Sequence, residues 1–468
     1  MADTIVFADQ PETIIRKDAS RSAKVVNHVL MGTWLKVVDN DGDFFKVRTQ
    51  KAGAGGWVLK SDVRDSPIFK AFYVDVGQGD GAIIEHPDGI MLIDGGPNKN
   101  LYRFMLHRYS PIFDEGKKVH IEALVMSHPD ADHFAGLTHV LKDDRFTFGT
   151  IFHNGIKRYS GSHPDVDFDL GKLVDRSSVG GTEEVLTETM STLNQAEALL
   201  KKHDDSITAQ IAATGPGVRP KRLVQASYYN FWAAALKAHD EGRLSSAKRI
   251  TSRSETLPGF STTDTDRLRV EVIGPVPTKE SGAVEFVTFG EPHEHGSSST
   301  SHSSSSSHTR NGHSLVLKLI FGDHSFLFGG DLNIPAELHL MKHYGTANPF
   351  GCDVAKACHH GSSDFAVKYL KKVKPQVNVF SSGDNKSFDH PVADALGAAG
   401  RHSQGDFPLL FSTELARATS KSGMIHFGLI NARSNGTVLT MAQMKEQHNK
   451  ADVWDSFTVP WKGKFKQS

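Results

Sequence analysis

Apolar residues in this chain fall into short runs that turn residues interrupt, and the character of those runs changes along the sequence. Over residues 1–65 the runs are brief and rich in β-branched and aromatic residues, as at 34–38 and 44–48, which is typical of strands. Longer apolar runs alternate with helical patterns from there on. The pattern predicts an all-β domain over 1–65, an α/β domain over 66–445 and a tail over 446–468.

Two segments depart from this alternation. Apolar residues recur at helical spacing within 183–202 and again within 228–239, so we expect a helical insertion over about 155–265. A Ser- and His-rich stretch over about 293–312 has too few apolar residues to form a core, and we expect a flexible loop there.

Composition narrows the class of protein. The 468 residues carry a formal charge of -1, so no global basic excess indicates nucleic-acid binding. A local basic groove is compatible with this net charge. The two cysteines, Cys352 and Cys358, do not form a disulfide framework, which favours a reducing compartment. The sequence shows neither a signal peptide nor about 18 consecutive apolar residues. These features predict a soluble, cytoplasmic protein that does not cross a membrane.

Metal-capable side chains are concentrated directly after an apolar run at 121–126. His128, Asp130, Asp132 and His133 lie within six positions, where a loop at the carboxyl end of a strand can point them in two directions. Closely spaced histidines and carboxylates suit one or two divalent ions. The alternative is a hydrophilic turn with histidines present by chance.

Two further predicted strands end in groups of the same kind. Asp331 follows an apolar run and two glycines, and His359 and His360 follow the run at 353–358. A carboxylate at the end of a buried strand loses its hydration, and a bound cation can offset that cost in free energy. Three strand ends therefore carry candidate metal ligands.

Together these motifs resemble the metallo-β-lactamase fold, and within it the ComEC-type branch, the nuclease-like domain of bacterial DNA-uptake channels. The resemblance covers about residues 69–440 and rests on the following motifs: 75–80, 92–96, 128–133, Gly330-Asp331, Lys356 with 359–362, and His390-Pro391. It implies an αββα sandwich with a helical insertion. The segment that ends in Gly56-Trp57-Val58 is similar to a bacterial SH3-like barrel.

The resemblance also implies a ligand set for two divalent ions. His128 and Asp130 would hold one ion, Asp132 and His133 the other, and Asp331 would bridge them. Asp130 stands where the commoner motif of the fold has histidine. Since carboxylate is a harder ligand than imidazole, the implied metal is zinc or manganese.

Catalytic roles follow from the same resemblance. Asp132 belongs to the implied catalytic group. His360 would protonate the leaving group while His359 binds metal, or the two roles would be exchanged. Lys356 and His390 could hold a phosphate or complete the metal shell.

The resemblance implies two further parts of the centre, a supporting carboxylate and an additional histidine. Asp80 would support the ligands from a neighbouring loop. The histidine that the fold usually has between the main motif and the bridging aspartate is not obvious, and the candidates are His153 and His313.

The resemblance favours a phosphodiesterase or nuclease that uses a hydroxide shared by two ions. A hydrolase of lactam, lactone or thioester bonds is the second hypothesis, and a binding protein with a vestigial site is the third. The expected partners are nucleic acid or another phosphodiester, and a peptide or protein at the SH3-like domain.

Overall fold

A computed structural model of the protein describes residues 4–49, 55–161, 163, 166, 169–175, 184–214, 218–278, 282–290, 305–383, 388–414, 430–449 and 452–460.

The N-terminal segment forms a separate seven-stranded sheet. Its strands are β1 (Ile5–Ala8), β2 (Glu12–Arg16), β3 (Val25–Leu30), β4 (Trp34–Asp41), β5 (Phe44–Arg48), β6 (Gly56–Leu59) and β7 (Val63–Arg64). Val6, Ile15, Leu35 and Val58 form its small core. The strand order is β3-β2-β6-β5-β4-β1-β7, and over the described ranges β3 and β7 are edges rather than partners. The segment is all-β as predicted, but these strands do not close into the expected barrel.

The remaining strands build two large sheets and a small one. In chain order they are β8 (Phe69–Tyr73), β9 (Ala82–His86), β10 (Gly89–Ile93), β11 (Val119–Met126), β12 (Phe146–His153), β13 (Leu173–Asp175), β14 (Glu184–Leu186), β15 (Leu244–Arg249), β16 (Arg269–Gly274), β17 (Phe286–Val287), β18 (Val316–Phe321), β19 (His324–Phe328), β20 (Val354–Lys356), β21 (Val377–Phe380), β22 (Leu409–Ser412), β23 (Ile430–Ser434), β24 (Leu439–Asn449) and β25 (Asp452–Val459).

Helices cover the outer faces of the large sheets. They are α1 (Asn100–Arg108), α2 (Ser110–Asp114), α3 (Ala131–Phe134), α4 (Leu137–Leu141), α5 (Leu193–Thr214), α6 (Ala226–Asp240), α7 (Ser306–Gly312), α8 (Ile334–Tyr344), α9 (Val367–Val373) and α10 (Ala393–His402). Within the described part of the chain, no helix has the length and apolarity that a membrane span needs.

The two large sheets pack face to face. One has the order β15-β12-β11-β10-β9-β8-β23-β24-β25 and the other β16-β18-β19-β20-β21-β22. Phe69 and Val125 of the first sheet share one buried core with Leu317 and Phe326 of the second. Strands β10, β11, β12 and β15 run parallel to one another, as do β19 to β22. The loops at the carboxyl ends of these parallel strands therefore lie at one edge of the sandwich.

Each sheet has a helical layer on its other face. Met105 of α1 and Trp232 of α6 pack with Leu124 of β11, while Leu340 of α8 and Tyr369 of α9 pack with the second sheet. The layer order is therefore helices, sheet, sheet, helices, in agreement with the αββα prediction.

The predicted insertion differs in detail from the structure. Its first helix begins at Leu193 rather than near 183, since β-branched residues at 185, 187, 189 and 192 favour extended backbone. Strand β15 lies inside the predicted insertion but pairs with β12 in the main sheet. Helices α5 and α6 are therefore the helical part of this segment.

Two other predicted segments contain ordered elements. Residues 293–304 of the expected flexible loop lie outside the described residues, but α7 follows with Thr309 and Arg310 buried. Strand β25 lies within the predicted tail and pairs with β24. Tertiary contacts stabilise these segments despite their polar composition.

Candidate metal centre

Four strand ends at the edge of the sandwich supply the side chains of the centre. His133 lies in α3 after β11, Asp331 follows β19, and His360 follows β20. Asp80 comes from the loop between β8 and β9. One ligand atom from each of these four buried residues lies within 4.8 Å of the others. The structure thus brings together a buried His/Asp cluster of the kind that binds a divalent metal ion.

The two imidazoles present the same nitrogen to the centre. His133 Nε2 lies 3.2 Å from Asp331 Oδ1 and 3.3 Å from His360 Nε2. His360 Nε2 lies 3.2 Å from Asp331 Oδ2 and 3.4 Å from Asp132 Oδ2. Asp132 and Asp331 thus lie at the Nε2 atoms of the imidazoles, whereas Asp80 contacts His360 at Nδ1. We call Asp132, His133, Asp331 and His360 the ligand cluster.

Two other carboxylates lie behind the imidazoles, at their Nδ1 atoms. Asp94 Oδ2 is 2.9 Å from His133 Nδ1, and Asp80 Oδ1 is 3.1 Å from His360 Nδ1. The carbonyl of Ser381 also lies 3.0 Å from His360 Nδ1. Carboxylates in this position fix the ring orientation and raise the basicity of the metal-facing nitrogen. Asp80, which the resemblance implies as a support for the ligands, lies in this position beside His360.

Glycine allows Asp80 to reach this position. Gly79 has a φ of 142°, and a Cβ atom there would lie 2.2 Å from the carbonyl oxygen of Asp132. The loop can approach the ligand segment this closely because residue 79 has no side chain.

Lys356 lies behind the cluster and is buried. Its Nζ atom contacts the carboxylate of Asp80, donates to the Gly330 carbonyl at 3.1 Å and lies 3.8 Å from Asp331 Oδ1. Burial lowers the pKa of Lys356, but the carboxylates of Asp80 and Asp331 outweigh burial and raise it. The lysine is therefore a fixed buried cation, and its contacts do not leave it exposed to a substrate phosphate.

The cluster has a strongly negative environment. Burial alone lowers the pKa of His133 and of His360, yet the neighbouring carboxylates, Asp331 first, raise both well above the ordinary value. Burial raises the pKa of Asp331, but the facing histidines outweigh burial, and the pKa lies well below its ordinary value. A site that favours positive charge this strongly fits a divalent cation held by two imidazole nitrogens and carboxylate oxygens.

His359 and His390 lie on the more open side. His359 Nε2 is 3.9 Å from Asp331 Oδ2, and its side chain is 25% exposed. His390 packs with its ring centroid 5.9 Å from that of His359, and its Nδ1 atom lies 3.0 Å from Gln78 Nε2. Burial, with the charge of His360, lowers the pKa of His390 to about 4. Because the amide nitrogen of Gln78 can only donate, His390 Nδ1 accepts and the neutral ring of His390 carries its hydrogen on Nε2.

His128 and Asp130 lie beside the ligand cluster and have other partners. His128 is buried beside it, with its ring centroid 4.1 Å from that of His133 and Nδ1 3.1 Å from Ser127 Oγ. Asp130 Oδ1 instead accepts a hydrogen bond from Arg310 Nε at 2.7 Å. The structure thus places the predicted ligands of the first ion in different surroundings from those of the second.

Neither candidate for the missing histidine lies in the cluster. His313 Nε2 is 2.8 Å from the Val287 carbonyl, and its ring stacks on Phe289. His153 Nδ1 accepts from the Gly155 N–H group, and its ring packs edge-on against Trp232. Burial lowers the pKa of each to about 3. Both are neutral core histidines in this arrangement.

No protein-family model and no curated protein matches the chain. Solved structures do match. The metallo-β-lactamase fold protein YhfI from Bacillus subtilis is 10% identical, with 76% of this chain and 99% of that chain covered and a TM-score of 0.32. A diphosphatase from the PhnP family is 13% identical, with 73% and 94% covered and a TM-score of 0.31. MEM-A1, a subclass B3 metallo-β-lactamase from a soil metagenome library, is 13% identical, with 63% and 78% covered and a TM-score of 0.26. These TM-scores do not establish a family.

Two functional neighbours were not recognised from sequence. Asp94 lies in a motif that carries the resemblance, and a carboxylate at the end of an apolar strand before Gly95-Gly96 was the available signal. Its φ of 58° is in the left-handed region, which Asp tolerates better than most residues. Arg310 gave no signal, because it lies 180 positions from Asp130 in a polar segment.

Proposed function

We propose that the protein is a metal-dependent hydrolase that cleaves phosphodiester bonds, in nucleic acid or in another phosphodiester. The observation that carries the proposal is the convergence of His133 Nε2, His360 Nε2 and the Asp331 carboxylate on one point. The motif resemblance to the ComEC-type branch supports the phosphodiester as substrate.

The ligand cluster would hold the metal. Bound there, a divalent cation would supply a water of lowered pKa and positive charge for the developing negative charge. Two nitrogen and two carboxylate ligands suit zinc and also manganese. Asp132 is the most exposed of the four, with 36% of its side chain accessible, so it lies where water and substrate would enter.

Residues on the open side would handle the substrate. His360 is buried and contacts Asp331, Asp132 and Asp80, so we assign it to metal binding. His359 is more accessible and is the better candidate for protonating the leaving oxygen. Of the two assignments that the resemblance implied, we therefore favour the second, in which His360 binds metal and His359 protonates the leaving group.

His390 would orient the substrate. Gln78 fixes its tautomer, so its Nε2–H group can donate a hydrogen bond. A donor beside the cluster would bind a phosphate oxygen. The N-terminal sheet contains none of these groups, and we retain for it the proposal that it binds a peptide or protein.

Hydrolysis of bis-p-nitrophenyl phosphate with added manganese or zinc tests the proposal, with nitrocefin as the competing substrate. We expect metal-dependent release of p-nitrophenol and no nitrocefin hydrolysis. Single- and double-stranded DNA and RNA would then define the substrate class. Activity on nitrocefin alone would favour a lactam hydrolase, and the absence of bound metal would favour a binding protein.

A further inference from the structure

The side of the centre formed by Asp130 is occupied by an arginine. Arg310, in α7, has only 4% of its side chain exposed. Its Nε atom donates to Asp130 Oδ1 at 2.7 Å, and its Nη1 atom donates to Asp169 Oδ2 at 2.8 Å. A buried guanidinium that binds two carboxylates is a strong, directional cation.

The remaining acceptor of Asp130 is also used. In the amide orientation that satisfies both of its polar atoms, Asn311 donates to Asp130 Oδ2 at 3.2 Å. Arg158 contacts Asp169 and lies 3.6 Å from Asp130 Oδ1. We call Asp130, Arg158, Asp169 and Arg310 the arginine network. Its two carboxylates and two guanidinium groups balance in charge.

With its imidazoles neutral, as metal ligands must be, the ligand cluster does not balance in this way. Asp132 and Asp331 belong to it, and Asp80 and Asp94 lie behind its histidines. Lys356 is a buried cation beside two of these four carboxylates, Asp80 and Asp331. A divalent ion therefore reduces an excess of negative charge in the cluster. A divalent ion bound to Asp130 would instead lie close to the guanidinium of Arg310, which is 2.7 Å from that carboxylate and already neutralises it. The two positive charges would repel each other.

His128 offers little to offset that repulsion. Its Nδ1 atom lies 3.1 Å and 3.2 Å from the hydroxyls of Ser127 and Ser314. Its Nε2 atom is the free nitrogen among the described contacts. The two expected histidine partners, His153 and His313, lie in the core as described above. The carboxylates near His128 are already engaged, since Asp331 faces His133 and His360 and Asp130 binds Arg310. One remaining imidazole nitrogen does not make a divalent-ion site.

We infer that Arg310 takes the place of one of the two expected ions, so that each chain binds a single divalent ion in the ligand cluster. Asp130 then anchors α7 through Arg310 instead of binding metal. This inference rests on the proposed metal centre, but it concerns the number of ions and not the bond that is cleaved.

Titration of the full chain with Mn²⁺ after removal of metal tests the inference. We expect calorimetry to give one ion per chain and electron paramagnetic resonance to give an uncoupled Mn²⁺ signal. Two ions per chain, or an exchange-coupled signal, would overturn the inference and leave the proposed function intact. No binding would overturn both, and one ion without phosphodiesterase activity would overturn only the proposed function.

Arg310→Gln tests the role of the arginine directly. The change frees Asp130 while Arg158 still contacts Asp169, so we expect a second, weaker Mn²⁺ equivalent. The double variant Arg310→Gln/Asp130→Asn should return to one ion. Arg145→Gln, which breaks a surface pair with Asp143, is the matched control and should bind one ion. If Arg310→Gln also binds one ion, Arg310 does not exclude the second.

Asp130→Asn in the otherwise unchanged chain covers the case in which the Arg310 variant does not fold. Since Asp130 is not a ligand in this scheme, the variant should keep one Mn²⁺ with an affinity within about threefold of the original. Loss of the ion from this variant would make Asp130 a ligand and contradict the inference.

Discussion

The buried histidines of the ligand cluster and those of the neighbouring core have the same burial but opposite properties. His133 and His360 are at most 1% exposed, and so are His153 and His313. Carboxylates facing the first pair raise their pKa well above the ordinary value. The second pair faces aromatic rings and backbone, and burial lowers their pKa to about 3.

This difference shows that burial alone does not identify a metal ligand. A buried imidazole becomes a ligand candidate where carboxylates attract positive charge to its free nitrogen, and it is otherwise a neutral polar group in the core. Changes to the carboxylates should therefore affect the metal site far more than changes to the core histidines.

Asp331→Asn should have the largest effect. Asp331 faces the Nε2 atoms of both cluster histidines, each at 3.2 Å, so the change removes the charge that they share. We expect loss of the bound ion and a fall in hydrolysis to the level of the metal-free chain. Elemental analysis and the bis-p-nitrophenyl phosphate rate would measure both. Unchanged metal content and rate would remove Asp331 from the centre.

Lys356→Met should mainly reduce stability. The change leaves the Asp80 carboxylate without its buried cation, and breaking a buried pair on one side costs about 3–5 kcal/mol. Urea unfolding of the metal-free chain would measure the loss. Lys237→Met, on the exposed face of α6, should leave the midpoint unchanged. Equal midpoints for the two variants would contradict a structural role for Lys356.

Asp94→Asn should have a smaller effect on metal binding. Asn keeps an oxygen near His133 Nδ1 and tolerates the left-handed backbone at this position, but it carries no charge. Loss of such an outer carboxylate typically weakens metal affinity or activity by about 10–100-fold. Mn²⁺ titration would measure this, with Asp88→Asn, on an exposed pair with Arg267, as the control. Asp94 also accepts hydrogen bonds from the N–H and hydroxyl groups of Ser127, at 2.8 and 2.6 Å. An unchanged affinity would show that these bonds, and not the contact with His133, are its role.

The contrast between the two sets of histidines also explains what could be predicted from sequence. Carboxyl ends of parallel strands meet at one edge, so the strand ends before His128, Asp331 and His359 indicated a common site. The layered fold followed from the motif resemblance. Sequence could not separate His153 or His313 from the cluster histidines, because their partners are decided by tertiary packing.

Arg310 was missed for a related reason. It lies in α7 within a Ser- and His-rich stretch whose composition predicts disorder. The helix is held by its contacts, since Thr309 Oγ1 accepts from the Phe289 N–H group and Arg310 binds Asp130. Composition describes local preference only, and here long-range contacts outweigh it.

His153→Asn should have the smallest effect on metal binding, and it tests whether His153 is a neutral core histidine. The folded chain keeps His153 neutral down to a pKa of about 3, whereas an unfolded histidine has a pKa of about 6.5. Between these values the unfolded chain binds a proton that the folded chain does not, so the free energy of unfolding falls as pH falls. This one histidine should contribute about 2 kcal/mol to the loss between pH 7 and pH 4.5.

The variant should therefore lose less stability than the original chain over that range, by about 2 kcal/mol. Asn keeps an acceptor for the Gly155 N–H group, and Mn²⁺ binding at pH 7 should stay at one ion per chain. His120→Asn, on an exposed position of β11, should show the original pH dependence. If His153→Asn lost the ion, His153 would belong to the metal centre, and the division between cluster and core histidines would be wrong.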